Sequence, residues 1–195
     1  MGISKGEYSH QRRLARRARR LEEYRRGLRP IAVAGWETSK EHNVGTLVRT
    51  AHAVAAQEVI LVGEREWNVE AAKTAELYTE VIFLPDEDAF LEHVRARGMS
   101  LVAVELDPRS VSLFEAEYPE RPCFLLGAER NGLPVRLLDA ADLIVQIPQW
   151  GLVPCLNLAV AGSIVAYDYL GKLSRTGHLD RPQGGLVTPE PSEIP

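Results

Sequence analysis

Three short segments of the 195-residue chain gather residue types that could hold a polar small molecule and act on it. The first is HNVGTLVRTAH, residues 42–52. Asn43 offers a side chain that can cap a helix, and Gly45 lets a backbone or a ligand approach closely. Arg49 lies six residues after Asn43, less than two helical turns along. A functional arginine is one reading of that spacing. A capped amphipathic helix with a surface arginine accounts for the same spacing equally well. His52, one turn after Arg49, titrates near neutrality and reads as a surface or interface histidine. The second segment is LLGAERNGLP, residues 125–134. A strand-like run ends in Gly127, and the loop that follows carries the carboxylate of Glu129 ahead of Gly132. The loop has no Walker lysine and lacks the spacing of a dinucleotide fingerprint, so phosphate cradling fits it poorly. An ordinary strand-to-helix turn fits as well. The third segment is IPQWGLVPCLNLAVAGSIVAYDYL, residues 147–170. Pro148, Gly151 and Pro154 force an irregular loop before an apolar helix. Such a loop leaves backbone N–H and C=O groups in need of partners, which an adenine ring could supply. A plain connection with Asn157 as helix cap is the simpler alternative.

Each segment follows a strand-like run, which places it at the carboxyl edge of a sheet, where open α/β folds bind ligands. Apolar runs at 31–35, 58–63, 81–85, 101–106, 123–127 and 142–147 read as strands. Helical spacing appears over 43–56, 68–77, from the Asp86 and Asp88 caps to about Arg97, after Pro134, and over 156–173. Runs that are apolar throughout, alternating with helices, predict an α/β fold with a mainly parallel sheet covered on both faces.

Composition divides the chain into three parts. Residues 1–29 carry Lys5 and nine arginines against three glutamates, a surplus of seven positive charges. The net charge of −4 therefore leaves the remaining 166 residues at −11. Leu14, Leu21 and Leu28 recur at heptad spacing, with Ala18 and Tyr24 between them, and predict one apolar stripe on a cationic helix. Such an arm gives sequence-independent affinity for nucleic acid, and Arg12, Arg13, Arg16, Arg17, Arg19 and Arg20 are its candidate RNA contacts. Residues 30–173 read as the folded domain. Residues 174–195, with three glycines and four prolines, read as a disordered tail. Cys123 and Cys155 form no metal-ligand spacing, and no metal is expected. The two cysteines suggest a reducing, cytoplasmic setting. No apolar run reaches the roughly 18 residues a membrane span needs.

In order, and over about residues 30–173, the three segments resemble the motifs of the SpoU/TrmH family of RNA 2′-O-ribose methyltransferases, in the SPOUT class. Asn43, Gly45 and Arg49 fit the first motif; Gly127, Glu129, Gly132 and Leu133 fit the second; Ile147, Pro148, Gly151, Leu156 and Asn157 fit the third. Cys155 stands where the family usually has serine, and Ala128 where asparagine is frequent. The resemblance implies a C-terminal trefoil knot, a rare exception to the rule against threaded chains. It implies S-adenosylmethionine as cofactor, held near Leu126, Gly127, Ile147 and Leu156, with Glu105 and Leu106 lining the same cleft. It implies a homodimer, and the small face of Ala159, Ala161, Gly162 and Ser163 suits close helix packing there. It assigns Arg49, Asn43, Glu129 and Asn157 to catalysis. A guanidinium is a very poor base, so Arg49 is better read as a charged group that holds a phosphate and steadies an alkoxide. Cys155 weakens the expected RNA contact at that position, since a thiol is a weak donor. The implied reaction is methylation of a ribose 2′-hydroxyl in tRNA, guanosine favoured. The alternatives are ribosomal RNA as substrate, or an inactive RNA-binding member of the fold.

Overall fold

In a computed structural model of the chain, the described residues are 15–16, 18–19, 21–38, 41–63, 67–128, 131–152 and 155–178. The expectations for Arg12, Arg13, Arg17, Arg20, Glu129 and the tail beyond 178 lie outside them.

The strands are β1 (Arg29–Trp36), β2 (Ala56–Val62), β3 (Glu80–Leu84), β4 (Ser100–Val104), β5 (Val111–Ser112), β6 (Pro122–Leu126) and β7 (Leu143–Gln146). They form one seven-stranded sheet in the order β3-β2-β1-β6-β4-β7-β5. Every pairing in it is parallel. The helices are α1 (Glu41–Ala53), α2 (Glu87–Ala96), α3 (Val135–Asp139) and α4 (Leu158–Arg175).

Strand alternation feeds two cores. Ile31 and Val33 of β1, Val59 and Leu61 of β2, and Phe124 and Leu126 of β6 face α1 and α4. Their neighbours Ala32, Ala34, Ile60, Val62, Cys123 and Leu125 face α2 and α3. Both faces are covered, so these strands are apolar at nearly every position. One exception is Glu58 of β2, wholly buried yet charged. His93 Nε2 lies 2.8 Å from one of its carboxylate oxygens, and Arg97 Nη2 donates to the other at 2.7 Å. A buried charge persists only with such partners.

Several boundaries and one element differ from the sequence reading. Residues 68–77 are two short 3₁₀ turns, Val69–Ala72 and Ala75–Leu77, and not an α-helix. Lys73 and Thr74 between them take left-handed backbone angles that break any helical run. The strand β5 is absent from the sequence reading, because two residues carry no periodic signal. Arg29, assigned to the arm, already pairs with Ala56 in the sheet. The last helix runs to Arg175 and so crosses the expected boundary at 173. Residues 21–26 are helical, with Leu21, Tyr24 and Leu28 half-buried and Arg25 and Arg26 exposed.

Candidate active site

The register of the sheet sets the site. Val104 lies beside Leu126 on one side and beside Val145 on the other. The chain segments leaving β4, β6 and β7 therefore emerge level with one another at the carboxyl edge. A cleft of about 230 Å³ opens there. All six residues expected to hold the cofactor line it: Glu105, Leu106, Leu126, Gly127, Ile147 and Leu156. Cys155, expected at the RNA, lines the same cleft. The sequence reading gave no cofactor role to the other lining residues, Val104, Ala128, Gly132, Gln149, Leu158 and Ala161. Their contribution depends on which way the loop and α4 face, and no motif reports that.

Glu105 organises one wall. Its carboxylate accepts the backbone N–H of Leu106 and that of Leu133, each at 3.0 Å. It thereby ties the end of β4 to the loop after β6. That loop is closed by two backbone bonds between Ala128 and Gly132, at 2.9 and 3.3 Å. A Cβ on Gly127 would lie 2.8 Å from Glu105 Oε2, and one on Gly132 would lie 2.6 Å from it. Gly132 also has φ +63°, which costs other residues strain. Gly127 is demanded by the Gly132 backbone, whose carbonyl carbon would lie 2.8 Å from such a Cβ, and Gly132 by its positive φ.

The first and third segments meet at a side-chain bond between two asparagines. Asn157 Nδ2 donates to Asn43 Oδ1 at 2.8 Å. Asn157 Oδ1 accepts the N–H groups of Ala159 and Val160 and caps α4, as its position suggested. Asn43 does not cap α1. The helix begins two residues earlier, at Glu41, and Asn43 is buried within its first turn. Thr50 and Ser163 join the same two helices, Oγ to Oγ, at 2.7 Å. Gly162 is packed so tightly that a Cβ would lie 2.8 Å from Leu47 and Leu126. The small residues Ala159, Gly162 and Ser163 therefore let α1 and α4 pack closely inside the chain. Gly45 has a similar reason: a Cβ there would lie 2.3 Å from that of Ala71. The close neighbour is protein, not ligand.

Arg49 is exposed on α1 and is not among the residues lining the cleft. His52, one turn on, is not a simple surface residue. Its ring sits 4.9 Å from Tyr24 and 5.5 Å from Tyr78, centroid to centroid. Tyr24 also donates its hydroxyl to the His52 carbonyl. Burial lowers the His52 pKa below the usual imidazole value. This cluster clips the helical residues 21–26 to the end of α1. Within the arm, Arg19 pairs with Glu23 and Arg26 with Glu22, both one turn apart. Among the described residues, no group of three His, Cys, Asp or Glu could hold a metal, and no helix is long and apolar enough to cross a membrane.

Residues 30–167 match the SpoU rRNA Methylase family. The chain is 30% identical over 141 residues to the tRNA (guanosine(18)-2′-O)-methyltransferase of Escherichia coli K12, covering 71% of this chain and 62% of that protein. It thus spans under two thirds of that relative's length. The enzyme of the same description from Thermus thermophilus is 28% identical over 172 residues, with 86% of this chain and 88% of that one covered. Among solved structures, the TrmH/SpoU tRNA modifying enzyme of Aquifex aeolicus superposes with a TM-score of 0.77 at 24% identity, covering 87% of this chain and 89% of that one. The AdoMet-bound rRNA methyltransferase of Sinorhizobium meliloti superposes with a TM-score of 0.68 at 31% identity, covering 79% and 58%.

Proposed function

The chain belongs to the SpoU rRNA Methylase family, and we propose that it transfers a methyl group from S-adenosylmethionine to a ribose 2′-hydroxyl of RNA, with a tRNA guanosine as first candidate. One observation carries this reading: the segments after β4, β6 and β7 converge on a single cleft, and every residue assigned to the cofactor lines it. The tRNA assignment draws on the guanosine-18 relatives. The rRNA methyltransferase of similar structure keeps ribosomal RNA as the second reading.

The cleft suits the cofactor. Leu106, Leu126, Ile147 and Leu156 offer apolar surface to a purine. Gly127 and Gly132 bring backbone close enough to hydrogen-bond its edge. S-adenosylmethionine, when bound, supplies a sulfonium-activated methyl. Bound in this cleft, it would be held by Leu106, Leu126, Gly127, Ile147 and Leu156 and would donate its methyl to the ribose oxygen, whose proton would pass to solvent. The protein's part is alignment and charge. Arg49, as a guanidinium, holds the phosphate beside the target ribose and stabilises the alkoxide that develops as the proton leaves. Asn43 and Asn157, bonded to each other, fix α1 against the start of α4 and so orient Arg49. Glu129, which falls between Ala128 and Gly132 in sequence, positions the ribose.

Two finer features complete the proposal. The trefoil knot fits a sheet order in which β6 inserts between β1 and β4. The homodimer fits the exposed Val160 and Tyr167 on α4, and an Arg49 outside the cleft of its own chain is consistent with a site completed across subunits. Calorimetric titration with S-adenosylmethionine tests the cofactor. Mapping of 2′-O-methyl positions in total RNA, with and without the gene, names the substrate. A chain that binds no S-adenosylmethionine would refute the enzymatic reading.

A further inference from the structure

Beside the cleft stands an aromatic pair that is not among its lining residues. Gln149 lines the cleft, and the next residue, Trp150, turns outward. Its side chain is 84% exposed. Phe114, from the loop after β5, is 65% exposed and stacks with it, with ring centroids 6.5 Å apart and planes inclined by 25°. Leu152, two residues further along the same loop, is fully exposed. Large apolar rings held this far into water need an occupant to explain them.

We propose that Trp150 and Phe114 form a stacking platform for an unpaired nucleobase of the RNA, close to the nucleotide whose ribose is methylated. The inference rests on the methyl-transfer reading above, because that reaction brings a ribose to the mouth of this cleft. The base of that nucleotide or of a neighbour must then lie along the rim. Aromatic faces take up any splayed base by stacking, without reading its sequence. The surroundings favour a base over a phosphate. Glu115 adjoins Phe114 and Glu117 follows, both exposed, and carboxylates repel the backbone while leaving an uncharged ring unaffected. The patch is also small for a protein partner. Three side chains fall far short of the roughly 20 residues a side that a stable interface uses.

The test titrates the full chain with a fluorescently labelled, unmodified tRNA transcript, at raised salt so that phosphate contacts of the arm are weakened. Trp150→Ala and Phe114→Ala should each weaken binding about tenfold. Trp150→Phe should recover most of the loss. Calorimetric affinity for S-adenosylmethionine and the oligomeric state by light scattering should not change. Undiminished RNA binding by Trp150→Ala overturns the platform, and so does failure of the wild-type chain to bind the transcript. A change of oligomeric state in Trp150→Ala also overturns it and makes the pair a contact between chains. If the wild-type chain binds the transcript tightly but methylates no RNA, the enzymatic reading fails, while the platform is still judged by the binding series.

Discussion

Glu58 and Glu105 sit toward opposite ends of the same parallel sheet and are stabilised by different means. Glu58, early in β2, is wholly buried and answered by two side chains, the His93 ring and the Arg97 guanidinium. Glu105, one residue past β4, is half-buried and answered by two backbone N–H groups, those of Leu106 and Leu133. The first arrangement ties α2 to the sheet and contributes stability. The second shapes a loop with amides in place of side-chain cations, which at the mouth of the cleft would repel a positive sulfonium. A carboxylate held by amides can thus support a binding wall, whereas one held by side-chain charges closes a core.

Breaking the two ends should have different consequences. The largest effect belongs to the carboxyl edge: Arg49→Ala should lower kcat for methyl transfer by about 10²–10³-fold, as for loss of one oxyanion-stabilising donor. Calorimetric affinity for S-adenosylmethionine should hold. If affinity falls in step, Arg49 is a structural residue. At the other end, Glu58→Ala should cost about 2 kcal/mol in urea denaturation, because it removes the buried carboxylate that Arg97 and His93 bond and that ties α2 to the sheet. A large loss of cofactor affinity at unchanged stability would break the division between the two edges. Glu105→Ala should reverse the pattern. Two amides lose their acceptor, and affinity for S-adenosylmethionine should drop about tenfold with a smaller loss of stability than Glu58→Ala. Asn157→Ala removes the cap of α4 and the bond to Asn43 together, and should cost about 1 kcal/mol by the same denaturation assay.

The smallest effect is pH-dependent. Burial depresses the His52 pKa in the folded chain. The unfolded chain therefore binds this proton more readily, and stability falls as pH falls wherever that difference operates. The contribution of the neutral ring is complete above about pH 6.5 and is lost as pH falls toward the folded value. His52→Phe keeps a ring between Tyr24 and Tyr78 but removes the titration. It should flatten the stability profile below about pH 6.5, by a fraction of a kcal/mol given the partial exposure of the ring. An unchanged profile would place the acid sensitivity elsewhere.

The sequence alone determined the alternation of strands and helices, the parallel sheet and the three segments that meet at the candidate site. These are local properties. Strands covered on both faces are apolar nearly throughout, as in β1, β2 and β6, and an asparagine before an apolar helix caps it, as Asn157 does. Gly45 was legible as a point of close approach, and Gly127 and Gly132 as members of a motif. The family resemblance rested on those same residues. What approaches each glycine was decided only by the tertiary structure. A carboxylate just past β4 meets Gly127 and Gly132, and Ala71 meets Gly45. The bond from Asn157 to Asn43, the His93 and Arg97 partners of Glu58 and the Tyr24 contact of His52 likewise join residues 28 to 114 positions apart. No periodicity records such pairs, because they follow from the sheet order and register that bring distant segments level. The same holds for Arg49. Its spacing placed it on a helix, but its position outside the cleft of its own chain follows from how α1 packs against α4.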